Sequence, residues 1–260
     1  MRRYERWMIA GLCILLPSMA WGASAFLATQ VVTADSPKNP DGGIFEVFFT
    51  HRFSQTIADS DLNNLFGLDS FAYTGLGLAY GVSDTWSLAL YRTANEKNFE
   101  ATLRWQWLSA DDGIADLVIR GSLNFNTDPG TNDPLRLGLE VIAGVHVGPL
   151  SLMAAPAYMT NPARVSGEDP FTFGIILGVS VRVLETVSIV AEAVPVLSGY
   201  RLRDVQGTYH PTWGAGVQIE VGGHVFTLLV TNQVGTTLDQ FLPGAPTSSP
   251  RLGFNLVRRF

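Results

Sequence analysis

The sequence predicts an all-β fold, a transmembrane antiparallel β-barrel of 12 strands, preceded by a cleaved signal peptide. Three observations lead to this prediction. After residue 43, twelve segments of about ten residues alternate apolar with polar or tiny side chains. The amino terminus has the pattern of a secretory signal, and the last alternating segment ends on Phe260. Because successive strand side chains point to opposite faces, each segment has one apolar and one polar face, as in membrane barrels.

The amino terminus predicts a signal peptide over residues 1–25. Three arginines within the first six residues precede an apolar stretch over residues 8–17, and Ala23-Ser24-Ala25 has the A-x-A form of a cleavage site. The apolar stretch is shorter than the about 20 residues that a membrane-spanning helix needs. We therefore expect cleavage after Ala25, with sites a few residues earlier as alternatives. The only cysteine, Cys13, lies in this segment, so the mature chain has no disulfide and no cysteine metal ligand.

The remainder divides into a leader and the barrel. Residues 26–43 contain Pro37, Pro40 and a Gly-Gly pair, and are predicted to be a flexible periplasmic leader. Residues 44–260 are the predicted outer-membrane barrel. An even strand number places both termini on the periplasmic side of a bacterial outer membrane. The predicted strands are 44–53, 71–82, 86–93, 99–108, 117–126, 135–146, 150–159, 171–182, 187–197, 211–221, 224–233 and 251–260.

The charged residues decide which face meets lipid. An arginine or lysine at the bilayer midplane of a barrel costs about 2–4 kcal/mol, so charges within strands should point inward. The interior charges have two interpretations. They line an open lumen, where charged linings tune ion selectivity, or opposite charges on neighbouring strands pair and close the lumen. Twelve strands fit either a narrow channel or a plugged barrel. Twelve strand residues fall on the polar face and are the lumen-lining candidates: Glu46, Arg52, Glu100, Arg104, Arg120, Arg136, Glu140, Arg182, Glu192, Glu220, Arg251 and Arg259.

The same alternation predicts the outcome of two neighbouring substitutions. Leu139 should face lipid, where an arginine is costly. Gly138 should face the lumen, where the hydroxyl of a serine can be hydrated. We therefore expect Leu139→Arg to harm assembly far more than Gly138→Ser.

A soluble barrel with the opposite facing is the competing interpretation. Two observations oppose it. The polar face is rich in glycine, which is unsuited to a solvated strand surface. The apolar face carries aromatic residues near both strand ends, where rings favour membrane interfaces. One predicted girdle comprises Phe45, Tyr80, Trp86, Trp105, Trp107 and Phe260, and the other comprises Phe53, Phe99, Phe125, Tyr158, Phe171 and Trp213.

The carboxyl-terminal strand carries a further signal. Leu252, Phe254, Leu256 and Phe260 alternate on one face. This pattern resembles the terminal strand that the outer-membrane assembly machinery recognises, with Phe260 as the assembly signal. Arg258 departs from that pattern, because the position is usually aromatic or apolar. The stretch from Glu46 to Thr93 also resembles an uncharacterised family of Gram-negative outer-membrane β-barrel proteins with a domain of unknown function. The resemblance implies the same fold and supplies no activity.

The residues that could carry chemistry do not form a recognisable motif. The four histidines lie in no metal-ligand pair, and none is followed two residues later by a serine, the spacing of Ser–His pairs in outer-membrane lipases. No G-x-S-x-G elbow occurs. We therefore predict no catalytic, cofactor-binding or metal residues, no cofactor and no enzymatic activity. The four histidines are His51, His146, His210 and His224.

Composition narrows the partners and the function. The formal net charge is −6 and the predicted signal carries +2, so the mature chain carries −8, which argues against nucleic acid. The expected partners are the lipid bilayer, lipopolysaccharide and the assembly machinery, and no protein partner is defined. The predicted function is a porin-like narrow channel for ions or small polar solutes. A non-transport barrel that anchors or sheathes partners through loops 198–210 and 234–250 is the alternative, and a lipid-modifying outer-membrane enzyme is a minor one.

Overall fold

A single antiparallel sheet closes on itself in the computed structural model, which describes residues 24–109, 114–127, 135–163 and 168–260. The predicted 12-stranded barrel is confirmed. Its ninth strand is interrupted, which gives thirteen segments: β1 (Phe45–Phe53), β2 (Ala72–Gly81), β3 (Trp86–Thr93), β4 (Asn98–Leu108), β5 (Ala115–Asn126), β6 (Leu135–Val147), β7 (Leu150–Thr160), β8 (Phe171–Leu184), β9 (Val187–Val194), β10 (Val196–Gly199), β11 (Thr212–Val221), β12 (His224–Thr231) and β13 (Arg251–Arg259).

The interruption lies at Pro195, between β9 and β10. Proline has no backbone N–H to donate to a sheet ladder. The Pro195 carbonyl still accepts a hydrogen bond from the Ile175 amide at 3.1 Å. β10 continues to pair with β8 in the same register at Val196, and the register shifts only between Val196 and Ser198. β9 and β10 therefore act as one strand with an irregularity in the middle.

The barrel closes between its first and last strands. β1 pairs with β13 from Glu46↔Arg259 to Arg52↔Gly253. At the end of this seam the Phe260 amide donates to the Phe45 carbonyl at 2.9 Å. Closure leaves no open sheet edge, which a bilayer would penalise because lipid cannot satisfy backbone polar groups.

The two ends of the barrel differ. The short-turn end carries the connections 82–85, 148–149, 185–186 and 222–223, together with the start of β1 and the end of β13. The long-loop end carries the connections 54–71, 200–211 and 232–250. The last of these contains a short helix, α1 (Leu238–Phe241). Among the residues described, no helix is long and apolar enough to cross a membrane.

The outer face is apolar, as the alternation predicts. Leu76, Leu90 and Leu103 are each about half exposed, while their neighbours in the strand face the interior. Aromatic residues stack near both ends, for example Trp86 on Trp105 with ring centroids 5.6 Å apart, and Tyr158 on Phe171 at 5.7 Å. Residues 1–23 of the predicted signal peptide lie outside the described residues.

Candidate functional site

The lumen is filled from the short-turn end by residues 24–41, called here the lumen hairpin. This corrects the prediction of a flexible periplasmic leader for residues 26–43. The segment folds back on itself: the Val31 amide donates to the Ala34 carbonyl, and the Ser36 amide donates to the Thr29 carbonyl, each at 2.8 Å. Phe26, Val31 and neighbouring apolar side chains are fully buried. Their burial, and the need of the polar wall for partners, explain why the segment is inside.

The tip of the lumen hairpin is held by one carboxylate. Glu192 on β9 accepts backbone hydrogen bonds from Val32, Thr33 and Ala34 at 3.0, 2.8 and 3.1 Å. The three N–H groups stabilise the buried charge of the carboxylate, and the carboxylate in turn gives each amide of the turn a hydrogen-bond acceptor. Glu192 therefore fixes the hairpin at mid-lumen.

Arginine and amide side chains bind the carbonyl groups of the lumen hairpin. Arg52 donates to the Val32 carbonyl at 3.0 Å, and Arg104 donates to the carbonyls of Ser36 and Lys38 at 2.7 and 3.0 Å. Gln218 donates to the Gln30 carbonyl at 2.8 Å. Arg52 and Arg104, two of the predicted lumen-lining residues, therefore bind a protein segment in this structure.

An ion-pair cluster links the lumen hairpin to β4, β5 and β6. Arg120 lies between three carboxylates: Asp35 of the hairpin at 2.6 Å, Glu100 at 2.9 Å, and Glu140. Arg104 contributes a longer contact to Asp35 at 3.5 Å. Beside this cluster lies a cavity of about 40 Å³, enough for a few water molecules. The cluster and cavity are the most polar region of the interior.

A second segment closes the lumen from the long-loop end. Residues 232–250, called here the cap loop, include α1, whose Leu238 and Phe241 are buried in the same apolar cluster as Phe26. The Leu238 amide donates to Glu100 at 3.2 Å. Asp239 forms an ion pair with Arg136 at 3.2 Å, with both side chains fully buried. The cap loop thus reaches the ion-pair cluster of the lumen hairpin through Glu100.

The cap loop also changes the expectation for Gly138. A Cβ atom at this position would lie 2.3 Å from the Ser122 hydroxyl and 2.6 Å from a methyl group of Leu238. Gly138 does face the interior, but the space beside it is occupied by protein and not by water. A serine here would have to displace these side chains, so it should cost more than a hydrated hydroxyl; the order relative to Leu139→Arg stays a prediction.

The predicted lumen residues lie in two layers. Three are only partly buried and lie near the short-turn end: Arg182, Glu220 and Arg259. The other nine are buried inside the barrel: Glu46, Arg52, Glu100, Arg104, Arg120, Arg136, Glu140, Glu192 and Arg251. The partly buried layer is also tied to the hairpin, since Arg259 donates to the Leu27 carbonyl at 2.7 Å and Arg182 to that of Ser24.

A serine, a histidine and an aspartate meet inside the barrel at the short-turn end. The Nδ1 atom of His146 lies 2.7 Å from the hydroxyl of Ser151, and its Nε2 atom lies 2.7 Å from a carboxylate oxygen of Asp116. The Ser–His spacing of outer-membrane lipases places both residues on one strand. His146 and Ser151 are instead cross-strand partners beside the turn Gly148-Pro149. The signal for this pair in the sequence is the short turn, which places residues 146 and 151 opposite each other in the predicted hairpin.

Asp204 and Lys38, both outside the strands, have shifted pKa values. A hydrogen bond from His210 lowers the pKa of Asp204 in the loop 200–211, where the two side chains are 2.8 Å apart. Burial lowers the pKa of Lys38 in the lumen hairpin, and the charge of Arg259 lowers it further. The Asp204–His210 pair stabilises a surface loop, and the lowered pKa of Lys38 reflects its enclosure at the short-turn end of the barrel.

The carboxyl-terminal residues Arg258 and Phe260 lie at the short-turn end of the barrel. Phe260 is mostly exposed, and the guanidinium of Arg258 lies 5.1 Å from its ring centroid. Arg258 also donates to the Gly222 carbonyl at 2.6 Å. The departure of Arg258 from an apolar terminal pattern thus has a local structural reason, because its charge is held by the adjacent turn.

Comparisons with known proteins agree with this architecture. A family model described as "Membrane bound beta barrel domain (DUF5777)" matches residues 26–260. The NanC porin is similar in fold, with a TM-score of 0.55, 10% identity, and coverage of 82% of this chain and 98% of that one. The COG4313 outer membrane channel from Pseudomonas putida F1 has a TM-score of 0.52, 12% identity, and coverage of 86% and 97%. No curated protein matches the sequence.

Proposed function

Because the chain belongs to the DUF5777 family of membrane-bound β-barrel domains, we propose that it forms a narrow, porin-like channel for ions or small polar solutes in the bacterial outer membrane. The lumen hairpin closes this channel from the short-turn end, and the cap loop closes it from the long-loop end. One observation carries the proposal: the ring of strand pairs is complete without the hairpin. The hairpin can therefore leave the lumen while each strand keeps its partners. The NanC porin and the COG4313 channel, which share the fold, support the proposal.

The chemistry of the wall supports small polar solutes. When the hairpin leaves, Arg52, Arg104 and Glu192 lose their partners in the hairpin, and these positions become available to water and ions. Side chains of both signs line the pathway, and such rings of charge set selectivity in pores. Twelve strands lie between the eight of filled barrels and the 16–18 of open porins, which fits a narrow passage.

The orientation follows from the unequal ends of the barrel. Outer-membrane barrels have short periplasmic turns and longer extracellular loops. The short-turn end carries the lumen hairpin, the start of β1 and the end of β13. We place this end, and both termini, in the periplasm. The hairpin would then leave the lumen toward the periplasm.

A non-transport barrel is the second candidate. The observation in its favour is the cap loop, which fills the opposite end of the lumen with buried Leu238 and Phe241. A barrel closed from both ends can present its loops to partners without conducting anything. Conductance separates the two candidates.

The experiment is a disulfide that locks the hairpin. A Cβ atom built on Gly214 lies 3.3 Å from the Cβ of Val32, close to the about 3.5–4.5 Å of natural disulfides. The double variant Val32→Cys, Gly214→Cys should therefore form a bond between hairpin and wall. The predicted mature chain has no other cysteine, so no competing disulfide forms.

The single-channel conductance of the purified protein is measured in planar bilayers, first under oxidising and then under reducing conditions. We expect the oxidised double variant to stay closed and to show single-channel openings after reduction. The cysteine-free protein should respond equally with and without reductant. Openings that persist in the oxidised variant would contradict gating by the hairpin. If neither the reduced variant nor the unmodified protein shows single-channel openings, the non-transport barrel is favoured.

A further inference from the structure

The group of Ser151, His146 and Asp116 has the hydrogen-bond order of a nucleophile, a base and an orienting acid. Asp116 accepts from Nε2 of His146, which leaves Nδ1 unprotonated and facing the Ser151 hydroxyl. Both distances are 2.7 Å, within the range that proton transfer requires. Gln106 donates to the other oxygen of Asp116 at 3.1 Å and steadies the carboxylate. All three members of the group are buried.

Two further hydroxyls converge beside this group. Ser180 on β8 and Ser188 on β9 both donate to the carbonyl oxygen of Ala25, at 2.8 and 2.7 Å. The Ala25 amide donates to the Ser151 hydroxyl at 2.7 Å. Ala25 thus marks a place where one carbonyl group could reach both the serine and a pair of hydrogen-bond donors. Paired donors of this kind stabilise the oxyanion that forms in acyl transfer.

The surroundings define what could bind. Phe26, next to Ala25, is buried in an apolar cluster that also contains Met153, Ile176 and Val190 from the neighbouring wall. If the first residues of the lumen hairpin leave, an apolar group can take the place of the Phe26 ring. Ser151 lies at the short-turn end, two residues after Pro149 of the turn Gly148-Pro149.

We propose that Ser151, His146 and Asp116 form an acyl-transfer site for carboxylic esters with an apolar acyl group, and that Ala25 covers it. The site goes beyond channel function; it shares with the proposed channel the departure of the first hairpin residues, including the Phe26 ring, and requires no conductance. Ser151 is the nucleophile, His146 the base and Asp116 a positioning residue. Ser180 and Ser188 form the oxyanion hole.

The reaction is hydrolysis through an acyl-serine. The Ser151 oxygen bonds to the ester carbonyl carbon while Nδ1 of His146 takes the hydroxyl proton. The bond from this carbon to the alcohol oxygen then breaks, and the alcohol leaves with the proton from His146. Water, deprotonated by the same nitrogen, then attacks the carbonyl carbon of the acyl-serine. The bond from this carbon to the Ser151 oxygen breaks, His146 returns the proton to Ser151, and the carboxylic acid leaves. The two hydroxyls hold the negative charge on the carbonyl oxygen in both steps.

The test compares two amino termini. One protein begins at Ser24 and keeps Ala25 on the site, and the other begins at Phe26, the predicted mature residue. Both are refolded in detergent, and folding is checked by heat-modifiable gel mobility. A fluorophosphonate probe then reports a reactive serine, mass spectrometry locates it, and hydrolysis of p-nitrophenyl butyrate reports turnover.

We expect labelling of Ser151 at least tenfold faster in the protein that begins at Phe26, with matching ester hydrolysis. Ser151→Ala and His146→Gln should abolish both signals while the protein remains folded, and Ser87→Ala, at a buried serine elsewhere in the lumen, should leave them unchanged. Absence of labelling in both folded proteins, labelling of another serine, or equal labelling of the two would overturn the proposal. None of these readouts requires conductance, so the test of the acyl-transfer site remains valid even if the protein does not conduct ions.

Discussion

Replacing Leu103 by arginine tests the facing of the barrel wall. Leu103 lies on the outer face of β4, four residues from Phe99 and four from Trp107, and its side chain is 46% exposed. With a rise of about 3.4 Å per residue and a strand tilt of about 40°, it lies about 10 Å from the level of each ring. The apolar band of such barrels is about 25 Å tall, so Leu103 is near its middle.

An arginine at this depth should cost about 2–4 kcal/mol of folding free energy. This corresponds to about a 30-fold to 700-fold change in the equilibrium between folded and unfolded protein. The matched control is Leu135→Arg at the start of β6, where the exposed leucine pairs with Phe125 of the girdle. Near the interface the same change should cost about 0–1 kcal/mol. The natural Arg92, over the ring of Phe99 at 5.5 Å, occupies such a position.

The assay is reversible urea unfolding of protein refolded into lipid vesicles, followed by tryptophan fluorescence. Refolding efficiency and heat-modifiable mobility establish that each variant reaches the barrel. If Leu103→Arg and Leu135→Arg lose the same stability, the depth argument is wrong. If Leu103→Arg is harmless, the outer face does not meet lipid.

Further predictions concern the interior, the terminus and a loop. Gly138→Ser should lower stability by about 1–3 kcal/mol through overpacking against Ser122 and Leu238, measured by urea unfolding, and a neutral result would contradict the packing of the cap loop. Glu192→Ala should raise the open fraction in planar bilayers, whereas Glu220→Ala, at a carboxylate bonded to Arg259, should not. Phe260→Ala should slow assembly in cells and spare detergent refolding; normal outer-membrane levels after a pulse-chase would refute it. Because the folded pKa of Asp204 is lowered, its contribution is present above the unfolded pKa and is lost as pH falls through the folded one; proteolysis of loop 200–211 should therefore rise below about pH 4, and Asp204→Asn should remove this dependence.

The strands were predictable because alternation is a local property. In β6, the residues from Leu135 to Val147 alternate in the sequence and alternate between lipid and interior in the structure. The cost of a misplaced charge in lipid makes this pattern strict. The break at Pro195 was less visible, since the residues on both sides continue to pair with β8.

The lumen hairpin was not predictable by the same reasoning. Pro37 and Pro40 favour a loop, and no strand period marks residues 26–43. The missed signal was chemical: Phe26 and Val31 are apolar, and the wall opposite them carries buried charges that need partners. Such partners come from residues distant in sequence, as with Glu192 and Val32, so no local pattern reveals them.

The contacts of the lumen hairpin set an upper limit on how often the proposed channel can open, because the cap loop must also leave the opposite end. Leaving the lumen exposes Phe26, Val31 and Val32, and burial of each such side chain contributes about 1.5–3 kcal/mol. Water replaces the hydrogen bonds to Glu192 and Arg52, so their net contribution is smaller than their number suggests. A cost of at least about 4 kcal/mol leaves less than about one molecule in a thousand open. Wild-type protein should therefore show rare openings. Sustained flux requires a solute or partner that binds the released hairpin or the vacated arginines, because only binding that differs between the two states shifts their populations.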